Sequence, residues 1–137
     1  MFWQECLEKG FVRKSTPDKE LAKSLLKMAE TRLHFIKSII IEQSNASIIT
    51  GEAYEALREV CEALIATEGF KVYSHECITS FIKEISKDEY SAIIFDRYRR
   101  VRNAINYYGR QVSSEEARQA VAEISELITK LKTSLKI

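Results

Sequence analysis

Proline occurs once, at Pro17, and glycine only four times in 137 residues, so the chain has few places where a long element must stop. A sequence this short of breakers folds into a few long elements, and apolar residues recurring at three- and four-residue steps make those elements helices. The clearest stripe is Ala22, Leu26, Ala29, Leu33, Ile36 and Ile40. Thr16 is placed to cap this helix, Pro17 suits its first position, and Asp18 and Glu20 suit its positive end. The pattern predicts an end near Gln43.

The same reasoning predicts a second helix over about 50–67, with Ala53, Leu57, Val60, Cys61 and Leu64 inward and Gly69 as a left-handed stop. Ser74 can cap a third helix carrying Cys77, Ile78, Phe81, Ile82 and Ile85. Ser86 with Glu89 reads as a capping box for a fourth, whose inward face is Tyr90, Ile94, Tyr98, Val101, Ile105 and Tyr108 and whose end is Gly109. Ser113 with Glu116 repeats that signal for a fifth helix, with Ala117, Ala120, Ile124, Leu127, Ile128 and Leu131 inward. Residues 1–15 form an N-terminal extension packed on the bundle: a short amphipathic turn or helix ended by Gly10, then an extended run to the proline. The expectation is one all-α domain over 1–137, an antiparallel up-and-down bundle of four to five helices.

An apolar share of 45% against 30% charged residues is enough to build a core. No run approaches the roughly 20 apolar residues that span a bilayer, and MFWQECLEKG lacks a basic stretch followed by an apolar one, so a cytoplasmic protein with no membrane partner is expected. Cys6, Cys61 and Cys77 are widely spaced with no CxxC pair, which predicts reduced apolar core residues. Phosphate-cradling glycine loops, metal-ligand clusters and nucleophile triads are absent, and His34 and His75 are the only histidines, so neither metal nor cofactor is expected.

The net charge is only +1, so affinity for a polyanion must come from local clustering. Five of the nine arginines, Arg97, Arg99, Arg100, Arg102 and Arg110, fall in one short window, with Asp96 the acid among them. Arg99, Arg102 and Asn106 lie three and four residues apart, on one side of the helix and beside the Tyr98 and Ile105 stripe. Arg102 is thereby placed at the edge of the core, where a guanidinium offers fixed donors to phosphate oxygens or a carboxylate. A blander reading has these arginines pair with acids such as Asp96. The aromatics Tyr90, Phe95, Tyr98, Tyr107 and Tyr108 are too many for one helix to turn inward, so some should be partly exposed or at an interface.

The stretch AYEALREVCEALIATEGFKVYSHECITSFIKE, followed by FDRYRRVRNAINYYG and a helix opened by SSEEA, resembles a HEPN domain of the prokaryotic type. The resemblance runs from the Pro17 helix to Leu131 and includes Tyr54, Gly69 with Lys71, Ser74-His75, an Arg-Asn pair and a late Tyr-Gly. It implies a helical bundle that dimerises and pairs with a minimal nucleotidyltransferase in a toxin–antitoxin-like system. Active members of that family are ribonucleases whose signature is an Arg, usually followed by Asn, Asp or His, and then a His after four to six residues. Arg102 and Asn103 match its first half, while Tyr107, Tyr108 and Gly109 stand where the His would be. A phenol, with a pKa of roughly 10, cannot shuttle protons near neutral pH as imidazole does.

The resemblance therefore implies a non-catalytic or weakly active homodimeric module that binds the nucleotidyltransferase, a nucleotide or RNA through the 97–110 helix. Arg102 and Asn103 are its candidate catalytic pair, and Arg99, Asn106, Tyr107, Tyr108 and His75 its candidate binding residues. The alternative is an endoribonuclease toxin using Arg102 and Asn103 at a dimer interface, with His75 or Tyr107 replacing the usual histidine.

Overall fold

The computed structural model describes residues 1–137. Six helices and one two-stranded sheet follow in the order α1 (Trp3–Glu8), β1 (Val12–Lys14), α2 (Lys19–Lys37), α3 (Ala46–Thr67), β2 (Phe70–Val72), α4 (His75–Ser80), α5 (Glu89–Tyr108) and α6 (Ser114–Lys132). A π-helical turn, Phe81–Ile85, continues α4. The fold is mostly helical, and none of its helices is long and apolar enough to cross a membrane.

Helix α3 is the centre of the molecule. Fourteen of its 22 residues are buried, spread around the helix, because α2, α5, α6 and β2 all pack on it. The α6 stripe read from the sequence is buried from Ala117 to Leu131 and closes one side of the core. Its start is the expected capping box, with Ser113 Oγ accepting from Glu116 N and a Glu116 carboxylate oxygen accepting from Ser113 N.

Several boundaries differ from the sequence expectations, each for a local reason. Helix α2 is capped by Asp18, whose carboxylate accepts from Leu21 N at 3.0 Å, so Thr16 and Pro17 stay outside it. It ends at Lys37 rather than near Gln43, because Asn45 organises the next loop: its Oδ1 accepts from Glu42 N and its Nδ2 donates to Ile40 O. Ile40 therefore leaves the stripe and is exposed, and α3 starts at Ala46. Helix α5 is capped by Asp88 accepting from Ser91 N, not by a Ser86 box. Gly109 at φ 67° does end it. Of the inward face expected for α5, Ile94 and Tyr98 are buried, whereas Tyr90 and Tyr108 are exposed.

The two strands are the elements a purely helical bundle omits. Residues 12–14 pair antiparallel with 70–72, Val12 opposite Val72, which fastens the N-terminal extension beside α4. Gly69 makes this join possible: at φ 86° it turns the chain out of α3, and a Cβ there would stand 3.1 Å from Ser15 O and 3.2 Å from Pro17. Trp3 packs edge-on against Phe70 and Phe81. Cys6 and Cys77, expected as reduced core residues, form a disulfide between α1 and α4, their Cα atoms 6.0 Å apart. Tertiary folding decides that pairing, since the two residues are separated by 71 positions. Cys61 alone remains a free, buried thiol.

Candidate functional site: an arginine held by histidine and tyrosine

Four of the five clustered arginines lie within α5, and two of them pair with Asp96. Arg99 Nε and Arg100 Nε each donate to Asp96 at 2.9 Å, and Thr79 Oγ1 donates to the same carboxylate from α4. Burial works to raise the Asp96 carboxyl, but the Arg99 and Thr79 hydrogen bonds outweigh it and hold the group below its ordinary range. Arg97 pairs with Glu123 of α6, and Arg110, just beyond α5, with Glu116 at 2.7 Å. Both bridge α5 to α6 across a cleft.

Arg102 is different. Its only carboxylate neighbour, Glu55, is 3.8 Å away, beyond hydrogen-bond reach. Its side chain is only 13% exposed and lies over the face of Tyr54, the guanidinium carbon 5.1 Å from the ring centre. Nη2 donates to His75 Nδ1 at 2.7 Å, while Nε is buried without a partner. A largely buried guanidinium with an unmet donor and its nearest carboxylate outside hydrogen-bond reach is uncommon in a folded protein.

His75 comes to this place because it opens α4 after the two-residue link Tyr73-Ser74 from β2, and the sheet fixes where that link begins. Tyr54 Oη also stands 2.9 Å from His75 Nδ1. Arginine has only donors, so Nδ1 is an acceptor shared by Arg102 and the Tyr54 hydroxyl, and the imidazole proton sits on Nε2. Burial, then the positive charges of Arg102 and Arg58, lower the His75 pKa to about 4, despite the opposing pull of Glu55. Tyr54, packed on Phe95 in the core, is pushed well above the ordinary phenol range by burial, against the pull of Arg102. At neutral pH both groups are uncharged and the guanidinium carries the local positive charge.

Arg58 completes the cluster from α3. It lies between Glu55, at 2.8 Å, and Glu62. Burial raises the Glu62 carboxyl, the neighbouring Arg58 charge opposing it. Tyr54 is fully buried and Arg102 largely so, and the cluster meets solvent mainly through half-buried His75. No group of three or more His, Cys, Asp or Glu side chains stands together to hold a metal ion.

Of the residues singled out in the sequence, the fold brings together Arg102 and His75. Asn103 is half-buried and makes no side-chain hydrogen bond to the cluster, Arg99 is taken by Asp96, and Asn106, Tyr107 and Tyr108 are exposed at the end of α5. Tyr54, Glu55 and Arg58 are site residues that the sequence reading did not select. Their signal was present: Tyr54 and Arg58 are the single aromatic and the single basic residue of α3, four residues apart on one face.

Comparison of the chain with family models, with characterised proteins and with solved structures gives no match. The functional reading rests on the residues themselves and on the HEPN resemblance.

Proposed function

We propose that the chain is an oxyanion-binding helical module of the HEPN type, with RNA or a nucleotide as its ligand and Arg102 as the residue that engages phosphate. One observation carries this reading: within 97–110, Arg102 alone lacks a carboxylate in hydrogen-bond reach, yet it is largely shielded from solvent and held in place by two neutral side chains. An arginine whose nearest carboxylate, Glu55, stays outside hydrogen-bond reach keeps donor capacity for a phosphate oxygen.

The family resemblance adds a cytoplasmic homodimer and a minimal nucleotidyltransferase partner in a toxin–antitoxin-like pair. Exposed Tyr90, Ile93, Tyr107 and Tyr108, interleaved with Arg97 and Arg100 on α5, provide the aromatic and arginine-rich surface that such contacts use. In a reducing cytosol Cys6 and Cys77 would be held as a dithiol.

A second reading is favoured by one contact. His75 stands 2.7 Å from Arg102, so an endoribonuclease could draw its imidazole from α4 instead of from α5. Against it, a histidine with a pKa near 4 and its Nδ1 already occupied is a weak base and is not an acid at neutral pH.

Fluorescence anisotropy with a short RNA, followed by gel analysis of the same samples, tests both readings. Arg102→Met should lower affinity by roughly tenfold or more, the worth of one charge-assisted phosphate contact, while leaving the RNA intact in every sample. Unchanged affinity in Arg102→Met would remove the proposal. RNA cleavage by the wild type that vanishes in His75→Ala would replace it with the second reading.

A further inference from the structure

Arg102 Nε is the one buried side-chain polar atom of the molecule that lacks a hydrogen-bond partner. Three further atoms of the same cluster have no partner within the protein and so reach solvent: Arg102 Nη1, His75 Nε2 and Glu55 Oε1. The first two are donors, since a guanidinium carries only N–H groups and the imidazole proton sits on Nε2. Glu55 Oε1 is the acceptor among them. Its sister oxygen, Oε2, accepts from Arg58 at 2.8 Å, which fixes the direction of the carboxylate. Oε1 is thereby left beside Arg102, with Nη2 3.8 Å away.

This arrangement does not match a bare phosphate group. A phosphate oxygen and Glu55 Oε1 are both acceptors and both negative, so side by side they repel. A ligand that suits the site must bring a donor to Oε1 as well as an oxygen to the guanidinium. RNA carries such a pair on neighbouring ribose carbons, the 2′-hydroxyl as donor and the 3′-phosphate as acceptor. DNA lacks the donor.

We infer that Glu55 is the residue that selects a ribose: its Oε1 accepts from the 2′-hydroxyl of an RNA nucleotide whose 3′-phosphate oxygen is bound by Arg102 Nη1. The inference rests on the oxyanion reading and specifies its ligand as RNA rather than DNA. Arg58, closed by Glu55 and Glu62, positions the carboxylate and does not touch the ligand. The Glu55 side chain is 27% exposed, so a hydroxyl can reach Oε1 from solvent. A deoxyribose leaves Oε1 facing a phosphate with no donor between them. A site made to bond a hydroxyl rejects the analogue without one far more strongly than an apolar pocket rejects a missing methylene.

The test measures fluorescence anisotropy of the full chain with one sequence of adenine and cytosine in three forms: RNA, DNA, and RNA methylated at every 2′-oxygen. The methylated form keeps the ribose framework but cannot donate from it. RNA should bind about tenfold more tightly than either of the others, the worth of one hydrogen bond to a charged group. Glu55→Ala should bring the three forms to one affinity. Glu55→Gln keeps an acceptor oxygen without the charge and should retain a preference of about threefold. Arg102→Met should weaken all three forms. Adenosine 3′-monophosphate and its 2′-deoxy form, titrated by calorimetry, separate RNA from a free nucleotide carrying the same hydroxyl and phosphate.

A preference for RNA that stays tenfold in folded Glu55→Ala or Glu55→Gln overturns the role of Glu55 while Arg102-dependent phosphate binding still stands. Equal binding of RNA and its methylated form by the wild type does the same. A ribose preference shown by the mononucleotides and absent from the oligonucleotides overturns the assignment to RNA. Binding that ignores Arg102→Met overturns the oxyanion reading and the selection built on it.

Discussion

Helices α3 and α5 are of similar length and carry arginine or glutamate along much of their surface, but they use charge in opposite ways. On α3, surrounded by other elements, charge is drawn inward: Glu59 is 4% exposed and is matched by Arg32 of α2 at 3.0 Å. On α5, with five of 20 residues buried, most charge is spent at the surface, where Arg100 is 74% exposed on Asp96. Arg102 is the point where the two habits meet, an α5 arginine lying on α3 without an α3 carboxylate close enough to satisfy it. The difference shows that arginine density is a poor guide to a site. The environment of each guanidinium decides whether it holds the fold together, stays in water or waits for a ligand.

The largest test of this contrast is Arg32→Ala. It leaves Glu59 buried and unpaired, so we expect a loss of about 3–5 kcal/mol and a sharply lowered Tm in thermal unfolding. A loss under 1 kcal/mol would mean that α3 tolerates an uncompensated charge and that the contrast with α5 is weaker than described.

The next effect in size sharpens the meeting point. Because the folded protein lowers the His75 pKa from 6.5 to about 4, the unfolded chain binds a proton that the folded one refuses between those values. Stability should therefore be unaffected by this group above about pH 6.5 and fall as pH drops toward 4. The expected loss is on the order of 1 kcal/mol, since a partly exposed group is screened by solvent. Denaturant unfolding of wild type and His75→Gln across that range isolates the contribution, and parallel pH profiles would contradict it.

The smallest effect is at the surface. Arg100→Ala should change stability by no more than about 0.5 kcal/mol, in unfolding measured at ordinary salt, despite its 2.9 Å contact with Asp96. A larger loss would place Arg100 in a network with Arg99 and Thr79 instead of on a solvated face.

Much of the helical framework was legible in the sequence because it is written in local rules. The α6 stripe and its Ser113–Glu116 box, the left-handed Gly69 and Gly109, and the buried Leu57, Val60 and Leu64 of α3 follow from periodicity and capping chemistry. Both ends of α2 and the start of α5 did not follow, because Asp18, Asn45 and Asp88 each offered the backbone a better hydrogen bond than the residue favoured by pattern. The candidate site was half legible. Arg102 stands out by its arginine neighbours, but nothing in a linear reading shows that four of those neighbours find carboxylates and it does not.

What the sequence determined by itself was a helical protein with an arginine-dense fourth long segment, since spacing, caps and a scarcity of breakers act over a few residues at a time. What only the tertiary structure decided was the company each side chain keeps: Cys6 with Cys77, Val12 with Val72, and His75 with both Tyr54 and Arg102. These pairs lie 21 to 71 positions apart. Contacts at such separations depend on how helices stack and where a short sheet fastens the chain, and no local periodicity encodes them.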